Sequence, residues 1–404
     1  MPDAGTTLRV GLLQLESHPA VTVTGWDLLG EATVPTSHES SLDSLARQGA
    51  PIRQLLQKNH DTYVNWSRRR LQAVLEYVLS NEPPDVLIVP ECGVPFEGLG
   101  DIRAWMSRVN TNVVAGTHAF HASVEDYRPL GVAKGTVEHF LAGKSRPTAV
   151  APVFLGAQET QLWAKTIPSI FEQSESTQLP ERVVQPRSFQ LSGSGRRIAL
   201  FVCSEAQAMP SWSSPLPDAV LVIAYEERPE RYEPLLKQAQ QNQIPGILVN
   251  DGKYGGTSLY TATDRRSLSW WDEPPVHGRL PAGDYYLEFD VDLSQGAVQV
   301  GVANPRATKR LNRFVPILAE SDYLTLDREL RRAIADGAAT TAETLLQDME
   351  RLASVPLGIV QRWRYLVHRL KSKDLDPAVV AAIGDSVTIP GLPTLRETGL
   401  RNGR

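Results

Sequence analysis

Short runs of consecutive apolar residues, typical of buried β-strands, recur along the chain and are separated by polar segments that contain glycine or proline. Runs that are apolar throughout indicate a sheet covered on its outer face. Two parts of the pattern, from Thr111 to Leu155 and after Thr257, look like hairpins, so we expect a mixed sheet in an α/β protein. The predicted strands are LRVGLLQLE (8–16), DVLIVPE (85–91), NVVAGTHAF (112–120), AVAPVFL (149–155), QLWAKT (161–166), RIALFVCSE (197–205), AVLVIAY (219–225), GILVN (246–250), TSLYTATD (257–264) and YYLEFDVDL (285–293).

Helical spacing of apolar residues marks other segments. The spacing predicts an amphipathic helix from Gln54 to Leu79, ended by NEPP, and a surface helix in RPERYEPLLKQAQQNQ. From about Leu324 onward, three further helical patterns follow. We therefore predict a core domain over 1–320, with an irregular surface insertion at about 17–50, and a helical C-terminal extension over 321–404 that ends in a loose tail.

Composition and charge exclude several classes of protein. The chain is 42% hydrophobic with a formal net charge of −5 and a pI near 6.0, which gives no whole-protein footprint for nucleic acid. No stretch reaches the ~20 apolar residues of a membrane span, and the N-terminus has no secretory leader pattern. With two cysteines, we expect a reducing cytoplasm and no disulfide framework. No Cys/His cluster has metal-ligand spacing, so we expect no metal.

Three predicted strands end in residues that carry chemistry. DVLIVPE ends in Glu91, QLWAKT carries Lys165, and IALFVCSE leads into Cys203. Side chains at strand ends are held rigidly while the following loop leaves them accessible. A thiol is a weak nucleophile until a base removes its proton. Glutamate, lysine and cysteine together supply a base, an oxyanion donor and a nucleophile for attack on an amide or nitrile carbon.

These segments resemble the carbon–nitrogen hydrolase, or nitrilase, superfamily. The resemblance rests on VGLLQLE, VPE at Glu91, KTIP at Lys165 and VCSE at Cys203, in that chain order, and covers roughly residues 8 to 300. LLKQAQQNQIPGILVND and GGTSLYTATD are similar to later segments of the family. The resemblance implies an α-β-β-α sandwich, dimers, no cofactor, and hydrolysis of amides or nitriles through a cysteine thioester.

The resemblance also implies further site residues. Glu172, seven positions after Lys165 in KTIPSIFE, matches a second glutamate of the nitrilase branch that orients the lysine. Ser204 stands where an aromatic residue is usual, and its backbone N–H is a predicted second oxyanion donor. Glu205 is predicted either as an acid near the substrate or as a hydrogen-bonded support. His118 is interpreted as a rim or buried histidine close to the substrate.

Several alternatives stay open at the level of sequence. The same fold can serve as a binding, sensor or assembly module with little catalysis, or an amine can resolve the thioester in acyl transfer. The segment QRWRYLVHRLKSK interleaves basic and aromatic residues, which favours docking or a protein partner over nucleic acid because acids lie nearby. We expect a small amide or nitrile substrate, a homo-oligomer and no membrane partner.

Overall fold

The computed structural model combines two β-sheets with eight α-helices in the part of the chain it describes. The description covers residues 7–17, 50–117, 124–142, 150–156, 160–165, 167, 187–208, 215–260, 283–293, 309–319, 323–351, 357–375 and 387–389. Along the chain, strands and helices are interspersed. The predicted mixed α/β class is therefore confirmed.

The first sheet has eight strands in the order β13-β12-β11-β1-β2-β3-β4-β5. The neighbours β1–β2, β2–β3 and β12–β13 are parallel and the remaining pairs are antiparallel. The strands are β1 (Thr7–Gln14), β2 (Val86–Val94), β3 (Asn112–Thr117), β4 (Val150–Leu155), β5 (Gln161–Ala164), β11 (Tyr285–Asp292), β12 (Lys309–Ala319) and β13 (Val387–Ile389).

The second sheet has five strands in the order β10-β9-β8-β7-β6. Its central strands β7, β8 and β9 are parallel, as their unbroken apolar sequences predict. The strands are β6 (Arg187–Gln190), β7 (Arg197–Val202), β8 (Ala219–Ala224), β9 (Gly246–Asn250) and β10 (Ser258–Tyr260).

The helices are distributed along the chain between these strands. Four lie in the first half of the chain, one follows β8, and three lie between β12 and β13. They are α1 (Ala50–Ser80), α2 (Leu99–Met106), α3 (Val124–Tyr127), α4 (Lys134–Ala142), α5 (Glu233–Gln241), α6 (Tyr323–Ala335), α7 (Ala339–Arg351) and α8 (Leu357–Lys371).

Side chains alternate between two apolar layers across the first sheet. In β2, Val86 and Ile88 belong to a buried cluster that also contains β7, β8 and β9 residues of the second sheet, whereas Leu87 and Val89 pack in a cluster with α1 and α2. This alternation is the period-two pattern of a strand. The strands β1 and β2 contact the second sheet directly. One face of the first sheet therefore packs on helices and the other on the second sheet.

Several elements differ from the sequence-based predictions. The hairpin expected between β3 and β4 is wrong in part, because the antiparallel pairing exists but α3 and α4 lie within the connection. Strands β6, β12 and β13 and helix α2 were not predicted. Three helices occupy the predicted C-terminal helical segments, and the chain then returns to the first sheet as β13. Residues 18–49 of the predicted insertion lie outside the described residues.

The glycines of GKYGG, which follows β9, allow backbone segments to approach closely and turn. A Cβ at Gly252 would lie 2.4 Å from the backbone N of Glu16. Gly255 and Gly256 have φ values of 69° and 91°, which glycine adopts at little steric cost. The loop after β9 is therefore fitted against the end of β1.

Candidate active site

An irregularity in β2 sets the position of Glu91. In the pairing of β2 with β3, Val89 lies opposite Ala115 and the next paired residue, Val94, lies opposite Thr117. Five residues along β2 therefore span the same distance as two residues along β3. Alternation would direct Glu91 to the same face as Val89, the face that packs on helices. A bulge of this kind changes the side to which a side chain points. Glu91 thereby reaches Lys165, which follows β5, and the backbone N–H of Tyr225, which follows β8.

Two residues make this irregular backbone possible. Cys92 has a φ of 61°, in the left-handed region that non-glycine residues rarely occupy. On the neighbouring strand, a Cβ at Gly116 would lie 2.3 Å from the carbonyl oxygen of Pro90 and 2.5 Å from the Cα of Glu91. Only glycine at position 116 lets β3 approach the bulge this closely.

Lys165 is the first residue after β5, and it forms a buried ion pair with Glu91. Its Nζ donates to Glu91 Oε1 at 2.8 Å, and the two side chains are 2% and 4% exposed. The second oxygen of Glu91, Oε2, accepts from the backbone N–H of Tyr225 at 3.1 Å. A buried carboxylate needs such partners, because burial of an unpaired charge is costly.

Cys203 follows the last residue of β7 and opens a 3₁₀ turn, Cys203–Ala208. Its φ is 50°, a conformation that costs a non-glycine residue about 1–3 kcal/mol and that clusters at active sites. Its Sγ accepts a hydrogen bond from the hydroxyl of Tyr232 at 3.2 Å, and the charges of Glu91 and Lys165 both act on the thiol. The three predicted strand-end residues therefore meet in one buried cluster.

The electrostatics of this cluster keep the resting thiol protonated. Burial, followed by the charge of Glu91, raises the pKa of Cys203 to about 12, whereas the charge of Lys165 and the Tyr232 hydrogen bond lower it. Ionisation at neutral pH therefore needs a base in contact with the sulfur. Glu91 is placed to accept that proton.

Glu205 holds the turn that carries Cys203. The side chain is buried, and its Oε2 accepts from the backbone N–H of Val202 at 2.9 Å. Both oxygens also accept from Nη2 of Arg187, at 3.0 and 3.3 Å. Arg187 stacks over the ring of Trp163. These contacts favour the supporting role predicted for Glu205 over contact with a substrate.

Ser204 links this turn to the segment after Lys165. Its hydroxyl donates to the backbone carbonyl of Ile167, and the residue is half-buried. The two segments that carry Cys203 and Lys165 are thus tied together. The predicted contributors His118 and Glu172 lie outside the described residues, and their roles stay predictions.

Tyr225 and Tyr232 were missed by the sequence analysis although both contact the central residues. Tyr225 directly follows β8, and Tyr232 ends the 3₁₀ turn Pro229–Tyr232 before α5. The position of Tyr225 at a strand end is a signal that sequence can carry. Nothing in the spacing of RPERYEP marks Tyr232.

An open groove lies elsewhere on the described surface. It has a volume of about 410 Å³ and runs along edge strands β5 and β6, next to the end of β7 where Arg197 lies. Its described lining is Leu155, Gln161, Ser188, Phe189, Gln190 and Arg197. No ionisable cluster like that at Cys203 lines the described part of this groove, so its described lining offers no second candidate site.

The described residues contain neither a metal-ligand cluster nor a helix able to span a membrane. Among them, no group of three or more His, Cys, Asp or Glu side chains is arranged to hold a metal ion. Within the same ranges, no helix combines the length and hydropathy needed to cross a membrane. Cys92 and Cys203 are both buried, and neither forms a disulfide.

Comparison with known proteins gives only distant structural similarity. No family model and no curated protein matches the chain. Among solved structures, an amidase from Nesterenkonia sp. AN1, with the acetamide moiety of fluoroacetamide added covalently at its active site cysteine, is similar at 14% identity and a TM-score of 0.37, over 73% of this chain and 94% of that one.

A second form of that amidase, described as belonging to the nitrilase superfamily, is 14% identical with a TM-score of 0.37, over 72% of this chain and 92% of its own. A glutamine-dependent NAD⁺ synthetase from Acinetobacter baumannii is 11% identical with a TM-score of 0.40. The match covers 82% of this chain and about half, 52%, of the synthetase. Similarities this low do not assign an activity to this chain.

Proposed function

We propose that this chain is a hydrolase of the carbon–nitrogen hydrolase class, which cleaves a small amide or nitrile through a thioester on Cys203. The observation that carries the proposal is the buried cluster in which Lys165 pairs with Glu91 at 2.8 Å beside the thiol of Cys203, whose pKa burial and the charge of Glu91 raise. A buried thiol that is only core packing does not need a neighbouring ion pair.

The proposed reaction with an amide has two halves. In the first, Glu91 takes the thiol proton as the sulfur attacks the carbonyl carbon, and the same proton then passes to the departing nitrogen, so ammonia or an amine leaves. In the second, Glu91 removes a proton from water, which attacks the thioester carbonyl. The acid is released and the proton returns to the sulfur. Each half restores the protonation state of Glu91.

Lys165 and the turn at Cys203 are proposed to stabilise the oxyanion in both halves. The Nζ of Lys165 stays charged beside Glu91, and the backbone N–H of Ser204 is the second donor. One such donor in a dry site contributes about 2.7–4 kcal/mol. Glu172 is proposed to orient Lys165.

The proposal includes an architecture. The two packed sheets with helices against them support a nitrilase-like α-β-β-α sandwich as the core, over residues 1–320. The helices α6, α7 and α8 form the rest of the proposed helical part, over 321–404. Dimerisation and a cytoplasmic location stay predictions.

The test is to trap the thioester. The purified protein is incubated with a panel of aliphatic amides and nitriles, ammonia release is measured, and quenched samples are analysed by intact-mass spectrometry. We expect ammonia release and an acyl adduct on Cys203, both absent in Cys203→Ala and retained in Cys92→Ala, the matched control at the other buried cysteine.

Two outcomes would count against the proposal. Ammonia release that persists in Cys203→Ala would exclude the cysteine mechanism. A thiol at 203 that forms no adduct with any substrate, and that iodoacetamide labels only after unfolding, would make Cys203 a packing residue. Added hydroxylamine separates hydrolysis from acyl transfer, because transfer yields a hydroxamate.

A further inference from the structure

We propose that Tyr232 is a further catalytic residue, which donates a hydrogen bond to the sulfur of Cys203 and stabilises its negative charge when the thiolate forms and again when it leaves the thioester. This inference rests on the proposed function. It assigns a role to a residue that lies 29 positions from the cysteine in sequence.

The geometry holds the phenol in place. Tyr232 is 0% exposed, and its hydroxyl donates to Cys203 Sγ at 3.2 Å. It directly precedes α5, whose residues Leu235, Leu236 and Ala239 are buried in the same apolar cluster. A donor fixed in this way needs little reorganisation when charge appears on the sulfur, which is the condition for strong electrostatic stabilisation.

The charges around the sulfur show why such a donor is needed. Burial and the carboxylate of Glu91 both oppose the thiolate, and Lys165 and Tyr232 are the two groups that favour it. Lys165 is already paired with Glu91 and in the proposed mechanism serves the oxyanion. Tyr232 is the described side chain that donates a hydrogen bond to the sulfur.

Tyr232 acts as a donor and not as a base. Burial, followed by the charges of Cys203 and Glu91, raises the pKa of its phenol above the ordinary value, and Glu226 adds to this effect. The hydroxyl is therefore protonated at neutral pH. The thiol proton passes to Glu91, while Tyr232 keeps its own proton throughout.

The first test measures the thiol directly and needs no substrate. Glu91→Gln removes the carboxylate that raises the thiol pKa, which brings the titration of Cys203 into a lower pH range. In this background, the rate of iodoacetamide alkylation is measured against pH with and without Tyr232→Phe. We expect Tyr232→Phe to raise the thiol pKa by about one unit, so that alkylation below the midpoint is about tenfold slower.

Tyr286 provides a matched control. It is also 0% exposed, and its hydroxyl donates to Glu288 at 2.7 Å instead of to the sulfur. Tyr286→Phe therefore removes a comparable buried hydrogen bond, and we expect it to leave the titration of Cys203 unchanged. An equal titration of Cys203 with and without the Tyr232 hydroxyl would overturn the inference.

A second variant covers the case in which Tyr232→Phe does not fold. A ring-fluorinated tyrosine at position 232 keeps the hydroxyl and makes it a stronger donor, so the thiol pKa is expected to fall. No change, or a rise, would overturn the inference. If Cys203 stays unlabelled in every folded variant, the proposed function fails and this inference fails with it. If Cys203 is labelled but its titration does not depend on the residue at position 232, only the inference about Tyr232 fails.

Discussion

Two buried ion pairs lie in different parts of the molecule, and they differ in what else they contact. Lys165–Glu91 joins the end of β5 to the bulge of β2 and contacts a thiol on a strained turn. Arg331–Asp327 joins neighbouring turns of α6, with the side chains 6% and 1% exposed. Burial of charge alone therefore does not distinguish a reactive site from a structural one.

The Arg331–Asp327 pair has the hydrogen-bond and ring contacts of a structural ion pair. Asp327 Oδ1 accepts from the indole N–H of Trp363 in α8 at 2.9 Å, and Arg331 lies over the Trp363 ring. A guanidinium and an indole N–H serve here as hydrogen-bond donors only. The carboxylate of Glu91 instead contacts a thiol, which can give up a proton. The two pairs therefore differ in that Lys165–Glu91 lies beside a thiol that can give up a proton and whose residue has a strained backbone.

The largest expected effect comes from removing the carboxylate charge in each pair. Glu91→Gln should lower kcat/KM by about 10²–10⁴-fold, because acid–base catalysis contributes that much. The thiol pKa should at the same time fall from about 12, since the charge of Glu91 raises it. Amide turnover and the pH profile of iodoacetamide alkylation measure the two effects. Asp327→Asn is the control and should change neither; full turnover in Glu91→Gln would contradict the assignment.

A smaller effect is expected from removing the cation of each pair. Lys165→Met and Arg331→Met should each reduce the free energy of unfolding by about 3–5 kcal/mol, because each leaves a buried carboxylate without its charge partner. Urea unfolding measures the loss. Of the two, Lys165→Met alone should lower turnover, by about 10²–10³-fold as loss of one oxyanion donor does, and it should raise the thiol pKa further because Lys165 lowers it. Equal loss of turnover in both variants would mean that stability, not chemistry, explains the defect.

The smallest effect concerns the backbone that shapes the reactive pair. Gly116→Ala should cost about 1–3 kcal/mol, as overpacking does, and should reduce turnover by displacing Glu91. Gly100 in α2 has no atom within 4 Å of its Cβ position, so Gly100→Ala should leave turnover unchanged and stabilise by about 0.5–1 kcal/mol. Thermal unfolding and turnover check both variants. Unaltered turnover in a destabilised Gly116→Ala would show that the bulge does not position Glu91.

Sequence predicts which residues form the candidate site better than it predicts the backbone conformation that positions them. Lys165 and Cys203 directly follow β5 and β7, whereas the strand predicted to end at Glu91 continues to Val94. Contiguous apolar runs make such positions readable from sequence. The φ of Cys203 and the extra residues in β2 leave no comparable mark, because they depend on packing between β2 and β3. Tyr232 reaches the sulfur only through the tertiary fold.

The missed elements have a similar physical origin. Strand β12 contains Lys309, Arg310 and Arg313. These charged residues obscure the apolar pattern to which the buried Val315 and Ile317 belong. Strand β13 is three residues long, which is shorter than any reliable periodicity. Pairing with a neighbouring strand stabilises both, and a single sequence does not show which strand that is.

The pairing of β12 with β13 has one more consequence. Strands that are hydrogen-bonded neighbours lie about 4.8 Å apart, so the chain leaves the sheet after Ala319 and returns beside the same strand at Val387. The helices α6, α7 and α8 thus form the connection between two neighbouring strands and are held to the sheet at both ends. A parallel crossover needs only about a dozen residues. In this chain, however, the three helices also cover the core. Their residues Leu330, Ile334 and Trp363 belong to the same buried cluster as β7 and β8, so a shorter crossover in their place would uncover part of the core behind Cys203.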